Sequence, residues 1–462
     1  MQATPGAVDA LPVRRAALLG GLLLAVLLLS LWITRSPIEL PILATAAAIL
    51  FLATVLHAEA GLVILILSML LSPEIPVAGL GGGGLEGSRS LVLRTEDLLL
   101  MLVGFAWIAR MAIDKDLGAI RRTRLNVWIF AYSACCLFST LIGIEAGRVR
   151  PLQGLCFVAK YVEYFIIFFM TVNYVRSAQQ LRRLLAAALI TAALLGIYGW
   201  WQMPSGIRPS APFEGPEGEP NTFGGYLVLV FSVACALALT LPAVQTRWRR
   251  GCALLAVLVI PPLLATLSRS SWVGLAVSLT VLVALSPKRR LLLGATFVAG
   301  SLLFLAHPQK LEERLLYTFH GEEHDQHSVQ VGRVNLDPSA SARLSSWGAA
   351  LEGFVEHPLA GWGVTGFGFL DAQYFRILVE IGAFGFAAFA MLVGTAGVTF
   401  YRAYTTLPDP LYRGLGLGMT AGLGGLLAHA IGTNTFMLIR VMEPFWLLTG
   451  LVVACESFAR EA

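Results

Sequence analysis

The stretch Gln153–Arg183, QGLCFVAKYVEYFIIFFMTVNYVRSAQQLRR, decides how the chain folds. Residues 153–173 are almost wholly apolar, and Arg176, Arg182 and Arg183 follow directly. An apolar run of about 17–25 residues is what crossing a hydrocarbon core of about 30 Å requires. The crossing has to be helical, because lipid offers no partner to an open backbone group. The basic residues then mark an end that stays in the cytoplasm.

The same pattern continues in both directions. The chain of 462 residues is 57% hydrophobic and 13% charged, with a mean hydropathy of +0.74. Soluble domains carry roughly 25% charged residues. The expected class is therefore an all-α polytopic membrane protein. Apolar runs at 16–34, 38–56, 60–73, 96–113, 126–145, 153–173, 180–202, 222–243, 251–268, 270–286, 290–306, 372–398, 412–431 and 434–455 give fourteen spans. The third is short and 251–286 is nearly continuous, so twelve or thirteen also fit. Ala16–Trp32, after Arg14 and Arg15, has the look of a secretory signal. No A-x-A-like site follows it, and it reads as a retained helix.

Alternate loops are basic: Lys115, Arg121, Arg122 and Arg124; Arg176, Arg182 and Arg183; Arg247, Arg249 and Arg250; Lys288, Arg289 and Arg290. All fall on one side of a fourteen-span count, which puts them and both termini in the cytoplasm. The exported set then includes Gly79–Gly87, Pro204–Asn221, the turn at Arg269 and the long segment His307–Leu370. This divides the chain into a bundle of about eleven spans at 1–306, an exported loop at 307–371 and a bundle of about three spans at 372–462. Within the loop, 339–356 reads as an amphipathic helix, with Leu344, Trp347, Leu351 and Phe354 at helical intervals. It is expected to lie along the membrane surface until Pro358 and Gly361-Trp362-Gly363 turn the chain. The net charge of +5 is a topology signal and not a nucleic-acid footprint. Cys135, Cys136, Cys156, Cys235, Cys252 and Cys455 sit in apolar stretches and read as small core residues.

Charged residues in or at the mouth of a span are costly, so each is a candidate for function. Lys160 and Glu163 share a helix face inside an apolar run; they are either a self-neutralising pair or the lining of a polar cavity. Thr266–Trp272 is a polar knot between two spans whose Arg269 either snorkels or binds phosphate with its bidentate fork. Arg208 opens a Pro/Gly/Glu loop that ends at a helix start. Asp371 precedes a span whose first turns carry Gln373, Tyr374, Arg376 and Glu380, and Gln373, Arg376 and Glu380 share one face. Arg440 and Glu443 repeat the theme in Thr433–Pro444. His320, His324 and His327 sit in a hydrophilic mid-loop stretch and read as solvated rather than as a metal site. There is no H-E-x-x-H, Walker loop or G-x-S-x-G.

Taken in order, these residues resemble the bacterial O-antigen polymerase and O-antigen ligase superfamily. The likeness runs from about Lys160 to Trp446. It includes Lys160–Phe165, Ile197–Gln202, Pro220-Asn221 before Gly224-Gly225-Tyr226, Leu267-Ser268-Arg269 ahead of Gly274, Arg343–Trp347, His357–Gly363, and Asp371–Gly385. The resemblance implies a membrane glycosyltransferase of the GT-C-like kind in the bacterial inner membrane, working on the periplasmic face without metal or cofactor. Its donor would be a glycan on undecaprenyl diphosphate, with a flippase and a chain-length regulator as partners beside membrane lipid, and no nucleic acid. By motif, Arg208 and Arg269 would hold the diphosphate, with Arg343 and Arg376 beside them. Lys160, Glu163, Gln373, Tyr374, His357, Arg440 and Glu443 would line the polar cavity. Ligases of the superfamily carry a His eleven residues before the glycine that corresponds to Gly382; this chain has Asp371 there, followed by Ala372. A carboxylate can serve as general base, with Glu380 or His357 as the other candidates. The Asp-x-Gln-Tyr pattern is similar to that of exopolysaccharide polymerases, which favours a polymerase over a lipid A–core ligase. A transporter for lipid-linked sugars is the reading from another class; it would favour polar residues through the full bilayer depth and paired halves.

Overall fold

The structure, a computed structural model, describes residues 39–76, 92–113, 120–214, 218–294, 330–331, 334–335, 338–368 and 370–461. The expected first span, the histidine-rich stretch and most of 290–306 lie outside the described residues. Almost everything described is helical. In chain order the helices are α1 (Glu39–Leu56), α2 (Ala58–Leu71), α3 (Thr95–Ile113), α4 (Asn126–Glu145), α5 (Pro151–Tyr174), α6 (Ala178–Gln202) and α7 (Pro220–Thr240). They continue as α8 (Thr246–Ala265), α9 (Arg269–Leu285), α10 (Pro338–Glu356), α11 (Gln373–Thr406), α12 (Pro410–His429) and α13 (Ile439–Glu461). Among the described residues, extended structure is confined to two short antiparallel ladders, Glu74–Pro76 with Val92–Arg94 and Gln330–Val331 with Val334–Asn335.

Seven of these helices are long and apolar enough to cross a membrane, and α2 and α9 are shorter apolar helices. The chain is a polytopic membrane protein. Large apolar side chains such as Phe105, Phe138, Val257 and Phe384 point outward, where lipid rather than water is the partner that suits them. At the centre stands α7, the most buried of the seven spanning candidates, wrapped by α8, α9, α12 and α13. Small residues make that wrapping close. A Cβ on Gly274 would meet the Gly425 carbonyl oxygen at 2.8 Å, and one on Gly418 would meet the Val233 Cα at 2.6 Å. A second part of the core is aromatic, with Phe165, Phe168 and Phe445 each packed edge-on against Trp446.

Contacts between helix ends join like with like. At the basic-loop end, Arg183 bonds Glu59 at 3.0 Å, the Tyr404 hydroxyl donates to Leu285 O at 2.7 Å, and Lys288 donates to Leu239 O. At the far end, Arg208 donates to Thr266 O and Arg440 to Ser72 O. Alternation of the helices up and down the bundle is thus carried by the packing as well as by the charges.

One detail agrees with the reading of the sequence and another departs from it. The nearly continuous stretch 251–286 is two helices: α8 ends at Ala265, Leu267 takes a left-handed φ of 52°, and the Ser268 hydroxyl caps α9 by accepting from Ser271 N. The span expected at 372–398 is longer and broken. Gly382 (φ 67°, ψ −172°) interrupts α11, so that residues 383–406 form the part that crosses, about 36 Å at 1.5 Å per residue. The segment 373–381 is a separate short piece at the far end.

The break is made by the connection after α10. Trp362 N donates to Val379 O at 2.9 Å, Gly363 N to Glu380 O at 2.8 Å, and Ala383 N to Pro358 O at 2.8 Å. Backbone meets backbone here, which only glycine permits. A Cβ on Gly382 would lie 2.3 Å from Leu359 O, and one on Gly361 2.5 Å from Glu380 O. Trp347 of α10 stacks on Phe375 at 5.0 Å, fixing α10 to the same segment.

Candidate functional site

The short piece 373–381 carries three buried polar side chains on one face: Gln373 at 0%, Arg376 at 7% and Glu380 at 2% exposure. Arg376 Nε bonds Glu380 Oε1 at 3.1 Å, the i,i+4 pairing a helix favours. Thr365 N donates to the same oxygen at 3.3 Å, so the clamping loop holds the carboxylate as well as the backbone. Gln373 Oε1 accepts from Phe436 N at 2.9 Å, while Gln373 N donates to Ala430 O. Two donors remain unused: Gln373 Nε2 and Arg376 Nη1 are buried without a hydrogen-bond partner among the described residues. A buried donor without an acceptor is costly, and an anionic oxygen is the partner a guanidinium accepts best. Half-buried Asp371 stands one residue before Ala372, the N-cap of α11. Its charge, with that of Glu380, acts on the Arg376 guanidinium. Tyr374 donates its hydroxyl to Leu427 O at 2.6 Å and so ties the piece to α12.

A second group gathers around the polar knot. Arg208 Nε donates to Thr266 O at 2.7 Å and Nη2 reaches Asn221 Oδ1 at 3.5 Å. This draws the loop before α7 onto the turn between α8 and α9, where half-buried Arg269 opens α9. His429 Nε2 lies 3.2 Å from Asn221 O and Nδ1 lies 2.7 Å from Thr435 Oγ1. Thr435 belongs to the same short turn as Phe436. That turn therefore links the Arg208 group to Gln373. Arg343 lies within α10, of which the later turns pack on α11. His357 accepts from Arg148 and meets the Trp362 ring edge-on at 4.8 Å.

The remaining residues singled out in the sequence form a third, separate recess. Lys160 Nζ lies 2.5 Å from Asp97 and 3.6 Å from Glu163. Arg440, wholly buried, donates to Glu214 at 3.2 Å, to Pro212 O at 3.0 Å and to Ser72 O at 3.3 Å. Glu214 also accepts from Ala211 N and Glu219 N. Burial pushes its carboxyl up to about 7 against the pull of Arg440. Ser72 donates to Glu96, and Glu443 is buried among the fields of Glu96, Glu163 and Asp97.

Sequence reasoning missed Asp97, Glu214, His429 and Arg148. Three of these each take one partner far along the chain that no local spacing signals: Lys160 for Asp97, Arg440 for Glu214 and Asn221 for His429. Arg148 had one: with Arg150 it puts two arginines in a short loop assigned to the exported side, against the charge rule. Its guanidinium lies 5.4 Å from the Trp362 ring centroid as well as on His357.

A comparison with curated proteins finds no match. Residues 253–390 match the model of a family described as O-Antigen ligase. The matched region holds Arg269, Arg343, His357, the clamping glycines and the whole of 371–381. Members of that family are membrane enzymes of the glycosyltransferase or ligase type. Within residues 253–390 that match supports the likeness to the O-antigen polymerase and ligase superfamily.

Proposed function

We propose that the protein joins oligosaccharide repeat units carried on undecaprenyl diphosphate into an exported polysaccharide, at the periplasmic face of the bacterial inner membrane. The observation that carries this reading is the pair of buried, unanswered donors, Gln373 Nε2 and Arg376 Nη1, one turn inside Asp371. They suit a substrate that brings anionic or hydroxyl oxygen to that place. In the reaction an acceptor-sugar hydroxyl attacks the anomeric carbon of the donor with inversion. Its proton passes to the Asp371 carboxylate, and the bond between the anomeric carbon and the diphosphate oxygen breaks with its electron pair going to the diphosphate. Arg376, Arg208, Arg269 and Arg343 stabilise the charge that develops there. Glu380, already bonded to Arg376 and Thr365 N, positions the guanidinium rather than taking the proton.

The family description favours a second reading, transfer of the finished glycan to lipid A–core. Asp371 in place of the ligase His speaks for polymerisation. The test is purified protein in detergent with lipid-linked repeat units. Longer glycans, lost in Asp371→Asn at unchanged thermal stability, are expected. Growth only when lipid A–core is supplied means a ligase. Glycan unchanged by a protein that nonetheless moves the same substrate across proteoliposomes means a transporter. Full activity in Asp371→Asn would remove that residue from the chemistry.

A further inference from the structure

At the basic-loop end, away from the candidate site, α1, α2, α3, α5 and α6 leave an open cleft of about 600 Å³ among the described residues. His57, Glu59, Arg110, Tyr174, Gln180 and Arg183 form its polar part, and Leu56 and Val63 are on its apolar side. Two guanidiniums stand against one carboxylate. Arg183 Nη1 bonds both oxygens of Glu59, at 3.0 and 3.1 Å, with its side chain still 54% exposed. Arg110 Nη1 donates to Val55 O and Leu56 O, the last carbonyls of α1, and its guanidinium sits 5.6 Å from the Tyr174 ring centroid. That fixes a cation at the cleft wall. The N-terminus of α2 opens on the same space. His57 gives it no side-chain cap; Ala60 N donates to His57 O, and the N–H groups of Ala58 and Glu59 before it add donors where an anion is favoured. The cleft is amphiphilic, charged at the helix ends and apolar toward the bundle's outer surface, where Leu56 is 68% exposed.

We propose that this cleft seats the phosphate headgroup of an anionic phospholipid from the leaflet facing the basic loops. The phosphate lies between Arg110 and Arg183, and the acyl chains run along Leu56 and Val63. Glu59 competes for Arg183 and so limits the affinity. A basic pocket between helices at this membrane depth is the kind of place where anionic headgroups are held, and such a ligand stabilises the folded state by mass action. The site owes nothing to the glycan chemistry proposed above and stands or falls without it.

The experiment uses the full chain in detergent, with phosphatidylglycerol, phosphatidylcholine or soluble glycerol 1-phosphate added, read by thermal unfolding and native mass spectrometry. Phosphatidylglycerol is expected to raise the Tm by several degrees and to survive as a bound adduct. Phosphatidylcholine and glycerol 1-phosphate should do neither. Arg183→Gln, at an exposed position that leaves the fold intact, should remove most of the shift, and Glu59→Gln should enlarge it. That opposite pair of effects separates a headgroup site from a plain Arg183–Glu59 ion pair, in which both changes would lower the Tm alike with any lipid. Equal shifts from both phospholipids, or an undiminished one in Arg183→Gln, overturn the proposal. Protection by glycerol 1-phosphate would assign the cleft to a soluble phosphate instead.

Discussion

The far end of the bundle holds two sets of buried charge that are built in opposite senses. On 373–381, donors exceed the acceptors that answer them: Gln373 Nε2 and Arg376 Nη1 are left over. In the recess between α3, α5 and α13, carboxylates exceed cations. Glu96, Asp97, Glu163, Glu214 and Glu443 face Arg94, Lys160 and Arg440, and among the described residues three carboxylate oxygens, Asp97 Oδ1, Glu163 Oε1 and Glu443 Oε2, lack a hydrogen-bond partner beside the Lys160 ammonium. The first arrangement is short of an anion and the second is not. The recess also has a structural consequence the other lacks: Arg440 ties the 203–214 loop to α2 and α13, and that loop carries Arg208. We infer that the recess is scaffold for the site and that the 373–381 face belongs to the site.

Double substitutions test this most sharply, because removing one member of a buried pair strands the other while neutralising both does not. Arg376→Met with Glu380→Gln keeps a hydrogen-bonding side chain for Thr365 N and takes away the guanidinium. Thermal stability should stay near wild type, while transfer falls about 10²–10³-fold, as when a donor to developing negative charge is lost. An active double variant would make this face scaffold too, and the contrast would collapse.

The recess should behave in reverse. Arg440→Met alone strands Glu214 and leaves Pro212 O and Ser72 O without their donor, at a cost of about 3–5 kcal/mol. Adding Glu214→Gln should restore most of the stability and, with it, the transfer activity. A double variant that is stable but inactive would show Arg440 to be part of the chemistry. The clamp gives a smaller effect that bears on the first region only. Gly382→Ala meets Leu359 O and a left-handed φ, costing about 1–3 kcal/mol. Activity per folded molecule should fall with it, since the break aims Arg376 and Glu380. Unchanged activity at lowered Tm would mean that the clamp holds the fold and not the site.

The sequence exposed these two regions unequally. The spans and their alternation were legible because lipid imposes length and the basic loops impose direction. The shared face of Gln373, Arg376 and Glu380 followed from helical spacing alone. The break behind it did not. Glycines are common in membrane helices, and Gly382 interrupts this one because the Pro358–Gly363 backbone, more than twenty residues earlier at its start, takes over its hydrogen bonds. The recess was half legible. Lys160 and Glu163 announced themselves three residues apart, but the nearer partner of Lys160 is Asp97 on α3. Arg440 likewise bonds a carboxylate 226 positions away. Spacing finds polar residues that share a helix and is blind to those that meet across the bundle.

The smallest expected effect concerns the same recess and is a matter of sign. Burial raises Glu214 from an ordinary carboxylate value to about 7, even with Arg440 beside it. A carboxyl whose value is higher folded than unfolded binds its proton more tightly in the native state. It favours the fold fully below about pH 4.5, and this contribution fades as pH rises through about 7. Thermal unfolding of the wild type between pH 5 and 8 should therefore contain a downward component that Glu214→Gln lacks, the amide being unable to titrate. The rest of the profile should coincide in the two proteins. A component of opposite slope would mean that Arg440 outweighs burial and that the pair is ionised throughout. The recess would then be a tight ion pair, and removing Arg440 alone would cost more than burial of Glu214 now implies.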